Sequence, residues 1–232
     1  MGALKAFSIS AILLLSYSGF ATPSLDLTIR SALKAHTENG LQAASITSDV
    51  LLYSLAPAPF LLDAFALTWW RDSNRPQALR MLWIDAIAMS STLLTTTAAK
   101  YSVHRARPYT IECTSSSPPS NCSSKGANRS FWSGHTSTAF TSASMICGHA
   151  LTLEIFGSTR AAKVLGCSIP LTLATTTGLL RIVADRHYFT DVLTGAVVGG
   201  LFGALIPHLI GERITVSLDL GPSPQVSFQM LF

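Results

Sequence analysis

Residues 192–210, VLTGAVVGGLFGALIPHLI, run for nineteen positions without a lysine, arginine, aspartate or glutamate. An α-helix rises about 1.5 Å per residue, so about 20 apolar residues are what it takes to cross the hydrocarbon layer of a bilayer. Four further apolar segments precede this one, at roughly 50–70, 79–99, 136–156 and 162–181. They predict an all-α helical bundle of about six transmembrane helices, counting one at the N-terminus. Composition agrees: charged residues are 12% and hydrophobic ones 48%, and mean hydropathy is +0.40, where an ordinary soluble domain carries about 25% charge. The net charge of +4 is small and its basic residues form no run, which argues against a nucleic-acid partner.

The charges fall mostly between the apolar segments and orient them. Arg71 and Arg75 lie between the first two with Arg80 just after, and Arg160 and Lys163 lie where the third gives way to the fourth. Positive connections stay in the cytoplasm, so the connections 100–135 and 182–190 face outward. The spans are not clean. Asp63, Asp85 and Glu154 lie in or beside them, and hydroxyls are dense in Ser90-Ser91-Thr92 and Thr175-Thr176-Thr177. A soluble exported helical protein would carry such residues without cost and stands as the alternative.

Met1 to Lys5 gives a positive start, Ala6 to Leu15 an apolar stretch, and Gly19-Phe20-Ala21 small residues where a signal peptidase reads. Residues 1–21 are therefore expected to be a signal peptide or a first membrane helix. Residues 22–210 then form the helical domain, with a short amphipathic helix around Leu25 to Leu41. The tail, 211–232, alternates apolar and polar residues from Val216 to Leu220 in the period of a strand, interrupted by Pro222 and Pro224. Cys113 and Cys122 flank a Ser/Pro-rich stretch in an outward connection, where an oxidising compartment favours a disulfide. Cys147 and Cys167 lie inside apolar segments and are expected to be small core residues, as His149 and His208 are expected to be satisfied core histidines.

Three polar clusters sit on the outward side. Lys100, His104 and Arg107 are spaced four and three apart, the spacing of one helical face, and Pro108 predicts a helix end near Arg107. Lysine and arginine together suit a doubly charged phosphate, the arginine through its fork of donors. Ser133-Gly134-His135 opens the segment 136–156. Ser133 can cap that helix, Gly134 lets backbone amides approach an anion, and His135 can carry a proton. Last, His187 and Asp191 are four apart, so the carboxylate can orient the imidazole, while Arg181 ends the preceding segment.

This ordered set resembles the type 2 phosphatidic acid phosphatase and haloperoxidase superfamily. The resemblance covers roughly residues 80–210. Two positions depart from it, Trp132 in place of proline and Leu180 in place of serine. The resemblance implies that Lys100, Arg107, Arg181, Ser133 and Gly134 bind phosphate. It implies that His187 attacks phosphorus, oriented by Asp191, and that His135 protonates the leaving alcohol and then activates water. Three cations supply the charge stabilisation, so neither metal nor other cofactor is expected. The expected activity is a phosphatase acting on a lipid phosphate or pyrophosphate at the outer, periplasmic face of a bacterial-type inner membrane. A soluble periplasmic acid phosphatase and a non-catalytic binder of anionic lipid are the alternatives. Neither the lipid nor the oligomeric state is encoded in these motifs.

Overall fold

The computed structural model describes residues 24–114, 122, 124, 126–211, 214–219 and 225–230. The expected signal peptide or first helix, 1–21, lies outside the described residues. Helix α1 spans Ser24–Leu33 and α2 spans Glu38–Leu55. The single amphipathic helix expected over Leu25 to Leu41 is thus two helices, because Thr37 starts the second by accepting a hydrogen bond from the Gly40 amide at 3.1 Å. After Pro57 the winding widens into a π-helix over Pro59–Arg71. Two prolines without N–H groups remove donors there, and a longer ring takes over, as in the bond from the Asp72 amide to the Leu67 carbonyl at 3.0 Å.

Helix α3, Arg75–Val103, has 29 residues and so extends about 44 Å. Asn74 caps it, with Pro76 in its first turn. It ends at His104, whose φ of 52° is left-handed. The helix was expected to reach Arg107, and this is a correction: Lys100 and Arg107 do not share a helical face. The chain leaves the helix because Arg105 turns inward onto two buried carboxylates, Asp26 and Asp191. Helix α4, Gly134–Gly148, continues as a π-helical turn over His149–Leu153. Helix α5 is Arg160–Val183 and α6 is Phe189–Gly211. Two antiparallel strands follow, β1 (Ile214–Asp219) and β2 (Gln225–Met230), in register from Ile214–Met230 to Asp219–Gln225. The strand period in the tail therefore belongs to a hairpin appended to the all-α bundle.

α4 lies at the centre, against α5 and α6. A β-carbon at Gly199 or Gly203 would overlap the Ser137 or Thr141 carbonyl, so the glycines let α6 lie directly on the α4 backbone. The interior is small and polar. Ala139, Ala143 and Ala174 are fully buried, Thr92 meets Thr141 at 2.8 Å and Thr96 meets Ser137 at 3.0 Å. Outside, Leu61, Trp70 and Leu94 expose 64%, 75% and 71% of their surface. Among the described residues, three helical stretches are long and apolar enough to cross a membrane: Glu38–Arg71, Arg160–Val183 and Phe189–Gly211. Apolar residues outside and hydroxyls inside reverse the pattern of a water-soluble bundle. The chain is a membrane protein. Its dense hydroxyls are satisfied without water, Thr175 and Thr176 donating to the Leu171 and Thr172 carbonyls at 2.8 and 2.9 Å.

Both cysteine pairs are disulfides. Cys113–Cys122 lies in the connection between α3 and α4. Cys147–Cys167 ties α4 to α5 and corrects the expectation of two free core thiols. A β-carbon on Gly166 would stand only 2.6 Å from the Ala150 β-carbon, so these helices approach closely just where the two cysteines face each other.

Candidate active site

All three clusters gather at one end of the bundle. Lys100 comes from the last turn of α3, Ser133 to His135 from the start of α4, and Arg181 from the last turn of α5. His187 lies in the turn between α5 and α6, and Asp191 in the first turn of α6. That turn is pinned by the Arg186 and His187 amides, which both donate to the Arg181 carbonyl at 3.0 and 3.2 Å. The Ser133 amide donates to the Asp191 carbonyl at 3.1 Å, joining the second cluster to the third.

Ser133 is the N-cap of α4, its Oγ accepting from the Thr136 amide at 3.4 Å and the Thr136 hydroxyl at 2.9 Å. A β-carbon on Gly134 would stand 3.0 Å from Lys100 Nζ. The absent side chain thus lets the ammonium sit against the positive end of the helix, and together they form a seat for an anion. Lys100 makes no hydrogen bond or ion pair among the described residues. Trp132 fills the place of the expected proline and donates from Nε1 to Thr96 Oγ1 at 2.8 Å, fastening this cap to α3. Arg107 donates from Nε to the Gly126 carbonyl at 3.0 Å and faces the Arg186 carbonyl at 3.4 Å.

His187 is almost wholly buried, 1% of its side chain exposed. Burial, then Arg107, Arg181, Lys100 and His135, holds its imidazole well below the ordinary value and so neutral. Four groups from three different parts of the chain thus act on one nitrogen heterocycle. His187 Nδ1 stands 3.7 Å from Asp191 Oδ2 and has no hydrogen-bond partner. The carboxylate of Asp191 is engaged elsewhere. Its Oδ1 accepts from Arg105 at 2.5 Å, and its Oδ2 accepts from Ser130 Oγ at 2.5 Å and the Tyr188 amide at 3.0 Å. His187 precedes α6, which begins at Phe189, so no helical turn sets its ring against Asp191.

Several residues here carry no signal in the sequence. Asp49, from α2, accepts a bond from His135 Nε2 at 2.6 Å and from Arg181 at 3.2 Å, and its neighbour Ser48 accepts from Arg181 at 3.0 Å. A hydroxyl therefore reaches Arg181 even though Leu180 replaces the serine before it. His135, in the first turn of α4, is pushed down to about 4, chiefly by burial and then by Arg181, with Asp49 acting in the opposite direction. Arg105 bridges Asp191 and Asp26, and Asp26 also accepts from the Thr190 amide at 2.9 Å and hydroxyl at 2.7 Å. The N-terminal helix α1 is thereby bolted to the base of the site. His104 stays exposed at the end of α3.

The profile of the PAP2 superfamily matches residues 81–215, which include every cluster above. A lipid A 1-phosphatase from Porphyromonas gingivalis is 36% identical over 126 residues, 54% of this chain. That stretch spans 23% of the relative's own length. The crystal structure of a transmembrane PAP2 type phosphatidylglycerolphosphate phosphatase from Bacillus subtilis is similar at a TM-score of 0.49 and 17% identity, over 81% of this chain and 92% of that one. With more than half of its length matched by the family profile, this chain belongs to the PAP2 superfamily.

Proposed function

We propose that this phosphoric ester hydrolase removes phosphate from a membrane lipid phosphate or pyrophosphate, without a metal, through a phosphohistidine. The observation that carries the reading is the convergence of Lys100, Arg107 and Arg181 on a buried, neutral His187. The cations and the amide end of α4 hold the phosphoryl oxygens. His187 Nε2 attacks phosphorus, forming an N–P bond as the P–O bond to the alcohol breaks. Asp191, itself fixed by Arg105, Ser130 and the Tyr188 amide, stabilises the imidazolium that develops. His135 gives its proton to the leaving oxygen. Docking of the negative phosphate raises its affinity for that proton, and Asp49 holds the ring. His135 then takes a proton from water, whose oxygen attacks phosphorus and releases His187.

A lipid substrate is supported by the family, by the lipid A 1-phosphatase relative, and by a site at the ends of lipid-facing helices. The site faces the periplasm in this reading, because Arg71, Arg75, Arg160 and Lys163 flank the opposite ends of the helices. The apolar exterior disfavours the soluble alternative. A purely binding role needs cations but not two proton-carrying histidines. The test is turnover of several lipid phosphates in mixed micelles with EDTA present. Activity should survive chelation and be blocked by vanadate; loss on chelation, restored by a divalent ion, would overturn the metal-free mechanism.

A further inference from the structure

Asp49 holds ground that a phosphate would claim. It stands on α2 and reaches across to α4 and α5. Its Oδ1 accepts from His135 Nε2 at 2.6 Å and from Arg181 at 3.2 Å. One oxygen thus engages both the proton donor of the leaving group and a cation that grips the phosphoryl oxygens. Carboxylate and phosphate oxygens are both anionic acceptors, and an arginine or a histidine donates to either. In the free protein the carboxylate therefore occupies two donors that the substrate needs.

Two adjacent residues of α2 divide the contact with Arg181. Ser48 is fully buried, donates to the Ser45 carbonyl at 2.7 Å and accepts from Arg181 at 3.0 Å. It holds Arg181 whichever way its neighbour points. Asp49 keeps 41% of its side chain exposed, and His135 and Arg181 are its only hydrogen-bond partners among the described residues. An exposed side chain changes rotamer readily, so the carboxylate can turn to water and leave both donors to an arriving anion. Arg181 has a further donor to offer, because its Nε is buried without a hydrogen-bond partner.

We propose that Asp49 is an internal competitor for the phosphate seat, displaced by a phosphate carried on a lipid and poorly displaced by free inorganic phosphate. The inference rests on the reading of this end of the bundle as a phosphate site, and adds which phosphates that site retains. A lipid phosphate brings apolar contacts that add to its binding. Inorganic phosphate brings only its charge, and breaking the Asp49 bonds offsets part of that gain. Hydrolysis turns the first ligand into the second, so the carboxylate returns to its two donors as the product leaves.

The test measures binding of inorganic phosphate to the purified full chain in detergent, from the rise of the unfolding midpoint at constant pH and ionic strength. Asp49→Asn should bind phosphate roughly tenfold more tightly than the wild type, the effect of one competing charge-assisted bond removed. Asp49→Ala should gain at least as much, and it carries the test if the amide keeps the contact. Glu112→Gln is the matched control. Glu112 has the same 41% exposure but pairs with Arg30 and Lys34, so its loss should leave phosphate affinity almost unchanged. With an alkyl phosphate as substrate, product inhibition by phosphate should strengthen in Asp49→Asn by the same factor. Unchanged or weaker phosphate binding in both Asp49 variants, or an equal gain in Glu112→Gln, overturns the proposal. Tighter phosphate binding in the Asp49 variants without turnover in the wild type would sustain it and overturn the phosphatase reading instead.

Discussion

Asp26 should be a keystone of the fold, although it lies far in sequence from every motif. Its side chain is fully buried and accepts from Arg105 at 2.6 Å and from the Thr190 amide and hydroxyl. Asp26→Ala leaves Arg105, with 4% of its side chain exposed, its bonds to Asp191 and to the Thr190 hydroxyl. The loss of a charge-assisted hydrogen bond to Arg105 and of the acceptor for the part-buried Thr190 amide together cost about 3–5 kcal/mol. At about 2–4 °C per kcal/mol for a chain of this size, the midpoint of unfolding should fall by roughly 6–20 °C. Asp26→Asn keeps the shape and one acceptor and should fall less. Arg71 and Asp72 provide the contrast: their pair is exposed, 49% and 41%, and Asp72→Ala should leave the midpoint almost unchanged. The assay is thermal unfolding of purified protein in one detergent, followed by tryptophan fluorescence. An Asp26→Ala midpoint equal to that of Asp72→Ala would refute the reasoning and reduce the buried network to a bystander.

His135→Ala should slow turnover of an alkyl phosphate by about 10²–10⁴-fold, the usual contribution of a general acid, and slow an activated aryl phosphate much less; equal losses on both would remove its role as proton donor. The His187 imidazole is held well below 6.5, chiefly by burial and then by Arg107, so its neutral form persists as pH falls through that value. Phosphoenzyme formation from an activated aryl phosphate, followed by rapid quench, should therefore be level across about pH 7.5 to 6; an inflection near 6.5 contradicts the burial argument. Gly199→Ala should destabilise by about 1–3 kcal/mol, since its β-carbon overlaps the Ser137 carbonyl. At Gly200 the nearest atom is Ser144 Oγ at 3.8 Å, so Gly200→Ala should be neutral or stabilising, and equal midpoints for the two variants would contradict the packing.

The charged groups that gather at one end of the bundle were legible as three clusters because residue type and spacing mark each of them in the sequence. Lys100, Arg107, Ser133, Gly134, His135, Arg181, His187 and Asp191 all fall at one end of the bundle. What surrounds them was not legible. Asp26, Asp49 and Arg105 make contacts across 79 to 164 residues, and a lone acid in an amphipathic helix reads as a surface residue until the fold buries it. The end of α3 was misplaced by the same effect: Arg105 follows its carboxylate partners rather than local helix preference. Asp63 and Asp85 were visible as anomalies within apolar segments, but their meeting with His149 depends on how π-helical windings and helices pack, which periodicity does not convey. Cys147 and Cys167 looked like core residues because helix-to-helix distance is not written in local sequence.

The central claim is that His187 becomes covalently phosphorylated. Wild-type protein is mixed with a radiolabelled phosphate ester, quenched within a turnover and divided between acid and alkali. The account predicts label on the protein that is lost in acid, survives alkali, maps to the peptide containing His187 and is absent from folded His187→Ala. Label that is lost in alkali, or that persists in His187→Ala, would contradict it.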